Sequence, residues 1–365
     1  MQGVEGQWNG QLLLNGKEVP LHMSSLVQLV EINSIHQHLP SLSVTFKDMD
    51  DHFLASLGIR DGSEVELTLG DGGFGQTTAM RFNTQGDLQI RGGFGGNTIS
   101  FNAVLDNIQW LRQIVSGAVK GTSGDAISRV AAMAGLRPEI HPTSDLMVWL
   151  PNNKPLASYA RHVMERGWAS ATSCMLLGVS DDMSVRYFDL DKLISSSASQ
   201  IFGLDGLPIL QYMVNSKSQL YNNVAGYGST STNLSPEGIF KELTKIDVTM
   251  LSENLAASAR NIGLIGASGG RIEPRALDVG NVHKMWNEAM HQNRRIRSLY
   301  AHDVQILIDR VSGVKLLDMV DVVLPGYDGG RLTMESGSYI VSAFTRMLSG
   351  NRYLEKLTLT AQSSN

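Results

Sequence analysis

The 365-residue chain predicts a β-rich α+β fold in which two small antiparallel β-barrels carry inserted α/β units. Three observations carry this expectation. Short alternating strands punctuated by glycine turns fill the first and last thirds, helical periodicity is confined to the segments between them, and 365 residues exceed one ordinary core, calling for two to four compact units.

The first barrel is expected over 1–113. Asn15-Gly16 is a hairpin-turn signal, and Glu64 to Leu69 alternates Val65, Leu67 and Leu69 against Glu64, Glu66 and Thr68, as a half-buried strand does. Gln28 to Ile32, Ser41 to Phe46, Ala79 to Asn83, Asp87 to Arg91 and Thr98 to Asp106 supply further strands, separated at Asp61-Gly62, Gly72-Gly73 and Gly92-Gly93. The period then changes. Ile127, Val130, Ala131 and Ala134 fall at i, i+3, i+4 and i+7, with Ser123 as N-cap and Gly135 past the end. Leu156, Tyr159, Ala160 and Val163 repeat the pattern up to Gly167, so 114–190 reads as an inserted α/β unit.

Ser195 to Ser199 marks a break, and 191–235 opens the second barrel with a strand in Gln211 to Val224. A mainly helical insert is expected over 236–300. Ser235-Pro236-Glu237 combines an N-cap, a first-turn proline and an acid suited to the positive helix end, with Ile239, Leu243 and Ile246 as the apolar stripe. Asn281 caps a long helix that carries Val282, Met285, Trp286 and Ala289 on one face and Arg294, Arg295 and Arg297 near its carbonyl end. The remainder of the second barrel, 301–365, holds Asp303 to Asp309 with Val304, Ile306 and Ile308 alternating, Met319 to Leu324 before Pro325-Gly326, and a closing hairpin from Ser338 to Ala361. Its turn is Ser349-Gly350-Asn351-Arg352, and its return strand sets Leu357 and Leu359 against Lys356, Thr358 and Thr360. No fixed-period repeat is present.

Composition narrows the function. Charged residues are 18% of the chain and apolar residues 42%; the charge content lies below the roughly 25% of soluble domains, so part of the surface is expected to be covered by other chains. A formal net charge of −5 offers no overall basic field for nucleic acid or acidic membrane. Cys174 is a single thiol in an apolar run, read as buried and inert. No window has the length of a membrane span, and Met1 to Gly6 lacks the pattern of a signal peptide, so no membrane anchor is expected.

Three segments resemble the central baseplate hub protein of contractile phage tails, a family that also forms the hub portion of type VI secretion spikes. Gly124-Asp125-Ala126-Ile127 through Ala134-Gly135-Leu136, then Pro142-Thr143-Ser144-Asp145, Trp149, Leu156 to Arg166 and Arg166-Gly167-Trp168 resemble its inserted α/β domain in order and spacing. Asn281 to Tyr300 is similar to its asparagine-led, arginine-ended helix, and Gly337-Ser338-Tyr339-Ile340-Val341 with Tyr353 to Leu359 to its closing strands. Ile262 to Asp278 departs from the family pattern.

The resemblance implies a homotrimer whose two barrels per chain form a pseudo-six-fold ring. That ring joins the tail tube, or a tube-adaptor protein, to a central spike protein, with baseplate wedge components and a tape-measure protein as further partners. DNA passes through the lumen without specific binding. The implied place is the virion tail baseplate, assembled in the host cytoplasm, with the hub of a type VI secretion or tailocin-like particle as the alternative. No enzyme activity, cofactor or metal is implied. With four residues after Ala361, no fused lysozyme-like or needle domain is expected.

Sharper motifs have plainer readings. Gly70-Asp71-Gly72-Gly73-Phe74-Gly75 matches G-x-G-x-x-G, but Thr77 to Phe82 reads as a strand where a dinucleotide site needs a helix. Gly266-Ala267-Ser268-Gly269-Gly270 matches the nucleophile elbow, which makes a serine hydrolase using Ser268, with Asp278 or Asp303 and His283, His291 or His302, the alternative from another class; Pro274 stands where the following helix should be. His36 and His38, with His22 or His52, could begin a metal site on one strand face, although a polar surface strand accounts for them without a metal. Asp48, Asp50 and Asp51 lack the turning glycine of a calcium loop and suit a helix amino terminus. Arg294, Arg295 and Arg297 suit dipole compensation and inter-chain pairing, and Trp149, Trp168 and Trp286 read as core anchors.

Overall fold

A computed structural model of the chain describes residues 8–19, 26–48, 58–71, 77–86, 88–93, 96–170, 173–216, 231–234, 240–243, 283, 285, 302–325, 335–349 and 352–361. The first third contains β1 (Trp8–Leu14), β2 (Lys17–Val19), β3 (Leu26–Ser34), β4 (Ser41–Asp48), β5 (Glu64–Asp71), β6 (Thr77–Thr84), β7 (Gln89–Gly93) and β8 (Gly96–Leu105). Asn15 and Gly16, at φ +50 and +73, make the left-handed pair that a two-residue hairpin demands. Alternation then sorts side chains by face: Leu42, Val44 and Phe46 of β4 and Val65, Leu67 and Leu69 of β5 are all buried in one core with Phe82 and Phe101. Asp48 lies in β4 opposite Asn97 of β8, so the sheet ladder, not a helix start, holds it.

The middle unit comprises α1 (Ile108–Arg112), β9 (Val119–Gly121), α2 (Ser123–Met133), β10 (Arg137–Ile140), β11 (Met147–Trp149), α3 (Leu156–Met164), β12 (Met175–Val179), β13 (Ser184–Asp189) and α4 (Leu190–Ile194). β10, β13 and β12 form a small mixed sheet, and β9 pairs with β11. The cap of α2 is Thr122, one residue before the expected Ser123. Thr122 Oγ1 accepts from Asp125 N at 3.2 Å while Asp125 Oδ2 accepts from Thr122 N at 2.8 Å; the reciprocal pair needs an acid three residues after the cap, which only Thr122 has.

The spacing of the Thr-Ser-Asp and Arg-Gly-Trp motifs has a physical basis here. Asp145 is buried, and its carboxylate accepts from Ser123 N at the start of α2 and from Trp168 N after α3, both at 2.7 Å. Thr143 Oγ1 accepts from Gly124 N at 3.1 Å. Gly167 has no room for a side chain, since a Cβ there would lie 1.9 Å from Tyr187 Oη, which is itself held by Ser123 Oγ at 3.0 Å.

The last third adds β14 (Gln200–Gly203), β15 (Gln211–Ser216), β16 (Ser231–Leu234), β17 (Phe240–Leu243), β18 (His302–Ile308), β19 (Met319–Val323), β20 (Gly337–Ser349) and β21 (Arg352–Ala361). Phe240–Leu243 is strand, antiparallel to β16, where a helical stripe through Leu243 was expected; ladder pairing with Ser231–Leu234 overrides the local helix signals. Of the long helix expected from Asn281, His283 and Met285 alone are described, and both lie outside helix. Val282, Trp286, Ala289 and the three arginines Arg294, Arg295 and Arg297 lie outside the described residues.

The two β-rich thirds meet in one 14-stranded sheet, ordered β15-β18-β21-β20-β3-β4-β8-β6-β5-β1-β2, with β19 and β14 attached beside β20 and β7 beside β8. Among the described residues no pairing closes either third into a ring. The join is made by β20, whose 13 residues serve two partners along one edge. Gly337–Ile340 pairs with β19, a bulge follows between Val341 and Ala343, and Ala343–Leu348 pairs with β3. At the bulge, the Ser342 carbonyl accepts from Ile35 N at 3.1 Å and its hydroxyl donates to the Thr358 carbonyl at 3.0 Å, so the unpaired residue is satisfied.

β12 and β13 divide two cores. Met175, Leu177, Val179, Val185 and Tyr187 belong to the core of the first barrel region and the helices, whereas Cys174, Leu176 and Phe188 belong to that of the last third. A strand buried on both faces explains the unbroken apolar run from Cys174, whose thiol is buried as expected.

Candidate functional site

The chemistry of the described molecule concentrates where β3, β20 and β21 lie side by side. Alternation places Leu29, Leu348 and Tyr353 in one row across these strands, Glu31, Arg346 and Glu355 in the next, and Asn33, Phe344 and Leu357 in the third. The middle row is thus a carboxylate, a guanidinium and a carboxylate on one inward face. All three are buried, with Glu31 and Glu355 at 0% exposure.

A fourth charge comes from the middle unit. Asp181, in the turn between β12 and β13, accepts from Arg346 Nη1 at 2.5 Å; the same nitrogen donates to Glu31 Oε2 at 3.1 Å and lies 3.8 Å from Met80 Sδ of β6. Asn33 Nδ2 donates to Glu31 Oε1 at 2.6 Å, and the Arg346 guanidinium sits 4.7 Å over the Phe344 ring. Glu355 is held separately: Ser312 Oγ donates to it at 2.5 Å, Ser312 N at 3.1 Å and Tyr353 Oη at 2.9 Å.

Glu31 and Asp181 therefore share one buried guanidinium, and Glu355 acts on it through its charge. Burial pushes the Glu31 carboxyl from 4.5 up to about 7, Arg346 pulling it back and Asp181 pushing it further. Burial pulls the Arg346 pKa down, but Glu31, Asp181 and Glu355 outweigh it and hold the guanidinium charged. The Tyr353 hydroxyl is pushed well above 10 by burial and by Glu355, so it stays a donor. The arrangement is an electrostatic rivet joining the first third, the middle unit and the last third.

A second charged set fastens the middle unit to the loop before β19. Arg186 donates to Asp318 at 2.6 Å, to Glu139 at 3.0 Å and to the Leu316 carbonyl, while Lys315 and Arg137 both reach Asp182, at 2.6 and 2.8 Å.

The residues singled out by motif fall elsewhere. Ser268, Asp278 and His291 lie outside the described residues, as do His22, His52, Asp50 and Asp51. His302 and Asp303 begin β18. His283 is buried, with Nε2 2.7 Å from the Arg166 carbonyl and its ring 6.3 Å from Trp149, and burial holds its imidazole below the ordinary value. His36 and His38 occupy the turn between β3 and β4 rather than a strand face; Ser34 Oγ accepts from His36 N at 3.2 Å and turns the chain there. The turn is gripped through its carbonyls, since Arg161 donates to His36 O at 2.7 Å and Trp110 Nε1 to His38 O at 3.1 Å. Burial and then Arg161 hold His38 below its usual pKa. Among the described residues no group of three or more His, Cys, Asp or Glu is placed to hold a metal ion. G-x-G-x-x-G begins in the last two residues of β5, and the next described element is its antiparallel partner β6, so a strand stands where a dinucleotide site needs a helix. Trp149 is buried and donates Nε1 to the Gly121 carbonyl at 3.0 Å, and Trp110, which drew no attention in the sequence, is buried as well.

No protein-family model matches the sequence, and no curated protein matches it. Solved structures do. The tail protein from Neisseria meningitidis MC58 matches at TM-score 0.59 and 12% identity, over 97% of this chain and 96% of that one. The 43 kDa tail protein of prophage MuSo2 from Shewanella oneidensis matches at TM-score 0.63 and 10% identity, over 97% and 98%. A chain of the Francisella PdpA–VgrG complex, half-lidded, matches at 0.53 and 8% identity over 99% of this chain, which spans 59% of that one. The fold is shared with these two tail proteins, is mostly β with few helices among the described residues, and bears out the hub-like fold that the resemblance implies.

Proposed function

We propose that this chain is a structural tail hub and not an enzyme: a homotrimer whose pseudo-six-fold ring joins the tail tube, or its adaptor, to a central spike and forms part of the genome-delivery conduit. The observation that carries it is the end-to-end match with two tail proteins, over 97% of this chain and 96% and 98% of theirs. In this reading 1–113 closes as the first barrel, 191–235 with 301–365 as the second, and 114–190 and 236–300 are the inserted units. Wedge components surround the ring, a tape-measure protein and DNA occupy its lumen, and the protein resides in the virion baseplate after assembly in the host cytoplasm. The buried rivet fits the role, because a ring under load needs its units locked together more than it needs chemistry. A second reading, the hub of a type VI secretion or tailocin-like particle, is favoured by the likeness to the VgrG-complex chain.

The solution mass of the purified protein, alone and with its spike partner, tests the proposal. A trimeric mass in either case is expected, and a monomer in both overturns it. Co-purification from the native source separates the two readings, capsid components going with the tail and effector-loading components with secretion.

A further inference from the structure

We propose that two exposed apolar strips, one on the β9–β11 ribbon and one across β14–β15, are the two sides of a head-to-tail contact between copies of this chain. The inference rests on the trimeric reading above and says where the trimer is held.

The first strip runs along β11 and the residue at each of its ends: Leu146, Val148 and Leu150 are 69%, 44% and 41% exposed, whereas Trp149 is buried. Among the described residues β11 pairs with β9 alone. A buried face turned to the core and an apolar face turned outward is the pattern of a strand covered on both sides, with one cover missing.

The second strip lies at the end of the large sheet, where β15 is the terminal strand among the described residues. Tyr212 and Met213 are neighbours and so point to opposite faces, yet both are exposed, as is Leu210 before them. Gln211–Ser216 carries no lysine, proline or other charge of the kind that guards a solvent-exposed edge. Ile201 and Leu204, on and after β14, are exposed as well, and the two regions meet at the end of β19, where Leu204 N donates to the Val323 carbonyl and the Tyr212 hydroxyl to the Pro325 carbonyl.

Charge decides the pairing. Lys120, exposed on β9, has its Cα opposite Val148. Beside the second strip, Asp205 follows Leu204 and Asp321 is opposite Ile201. Each strip set against itself would bring like charges together, whereas first against second brings Lys120 to the acids. Two different patches on one chain generate a head-to-tail contact, which closes when the rotation permits a ring.

The test uses full-length chains. A first-strip variant (Leu146→Asp with Val148→Asp) and a second-strip variant (Leu210→Asp with Met213→Asp) should each be monomeric where the wild type is trimeric, with unchanged circular dichroism because the altered residues are exposed. Mixed in equal amounts they should form a one-to-one dimer and stop, since one intact pair of strips remains. A trimer or homodimer from either variant alone, or a mixture that stays monomeric, overturns the inference and leaves the hub reading standing. A wild type that is monomeric with and without the spike overturns the hub reading itself. As a second arm, Lys120→Glu should weaken assembly by roughly three- to tenfold, as rim charges do, and Asp205→Lys in the same chain should restore it; no restoration counts against the contact.

Discussion

Arg346 brings one positive charge to a place where Glu31, Asp181 and Glu355 bring three carboxyls, and the whole set is out of water. Removing the cation leaves the acids buried and unmatched. Arg346→Met should therefore destabilise the fold by about 3–5 kcal/mol, read from urea unfolding at neutral pH. Glu31 gives a pH signature. Its carboxyl ionises at about 7 when folded against 4.5 in the unfolded chain, so the folded state binds the extra proton between those values. The stability it contributes is full below the unfolded value and is lost as pH rises through the folded one. Wild type should lose stability relative to Glu31→Gln between about pH 5 and 8, and parallel stability-pH curves for the two proteins would refute the assignment. Little of this was legible in the sequence. The alternation that set Leu357 and Leu359 inward extends to Glu355, which marks one inward charge, but the bulge at Ser342 shifts the phase of β20 and hides Arg346. Its partner Glu31 lies 315 positions away.

At the scale of elements, α2 and α3 were legible because they are set by neighbours in the chain, whereas the five-residue α1 and α4 are too short to show a period. Capping, spacing and Gly135 placed α2 and α3 within a few residues, and the motif Thr143-Ser144-Asp145 followed by Arg166-Gly167-Trp168 marked a loop pair that Asp145 bridges. What a motif cannot say is why a glycine stands in it. At Gly167 the reason is the Tyr187 hydroxyl, pinned by Ser123, which leaves a Cβ 1.9 Å of separation. Gly167→Ala should cost about 1–3 kcal/mol, measured by thermal unfolding, with Tyr187→Phe in the same chain recovering part of the loss by removing the clashing atom. An additive double mutant would rule out this contact as the cause. The strands at Phe240–Leu243 were misread because a four-residue ladder with β16 is decided by a partner strand, and the local residues carry helix signals.

The junction between the two barrel regions was not legible because sequence reports strands one at a time, whereas the order of strands in the sheet depends on β20 serving β19 and β3 in succession. This has a consequence for unfolding. The first and last thirds share a sheet through β3 and β20, and the middle unit is tied to the last by Asp181 on Arg346, Arg186 on Asp318 and Lys315 on Asp182, and to the first by Arg161 and Trp110 on the carbonyls of the β3–β4 turn. β12 and β13 also feed both cores. A chain so connected should melt in one calorimetric transition, with the described units losing structure together. Truncation before Gly337 should then do more than remove a hairpin: without β20 and β21 the strands β3, β18 and β19 each lose one of their two partners, and ring assembly fails with them. The ties of the middle unit can be cut without touching either core. Asp181→Asn with Arg186→Gln removes two of its three charged links, and should split the single transition into two, the lower belonging to the middle unit and visible through the fluorescence of Trp110, Trp149 and Trp168. A single transition merely shifted to lower temperature would mean that packing of β12 and β13 against the two cores, and not the charges, makes the three units one folding body.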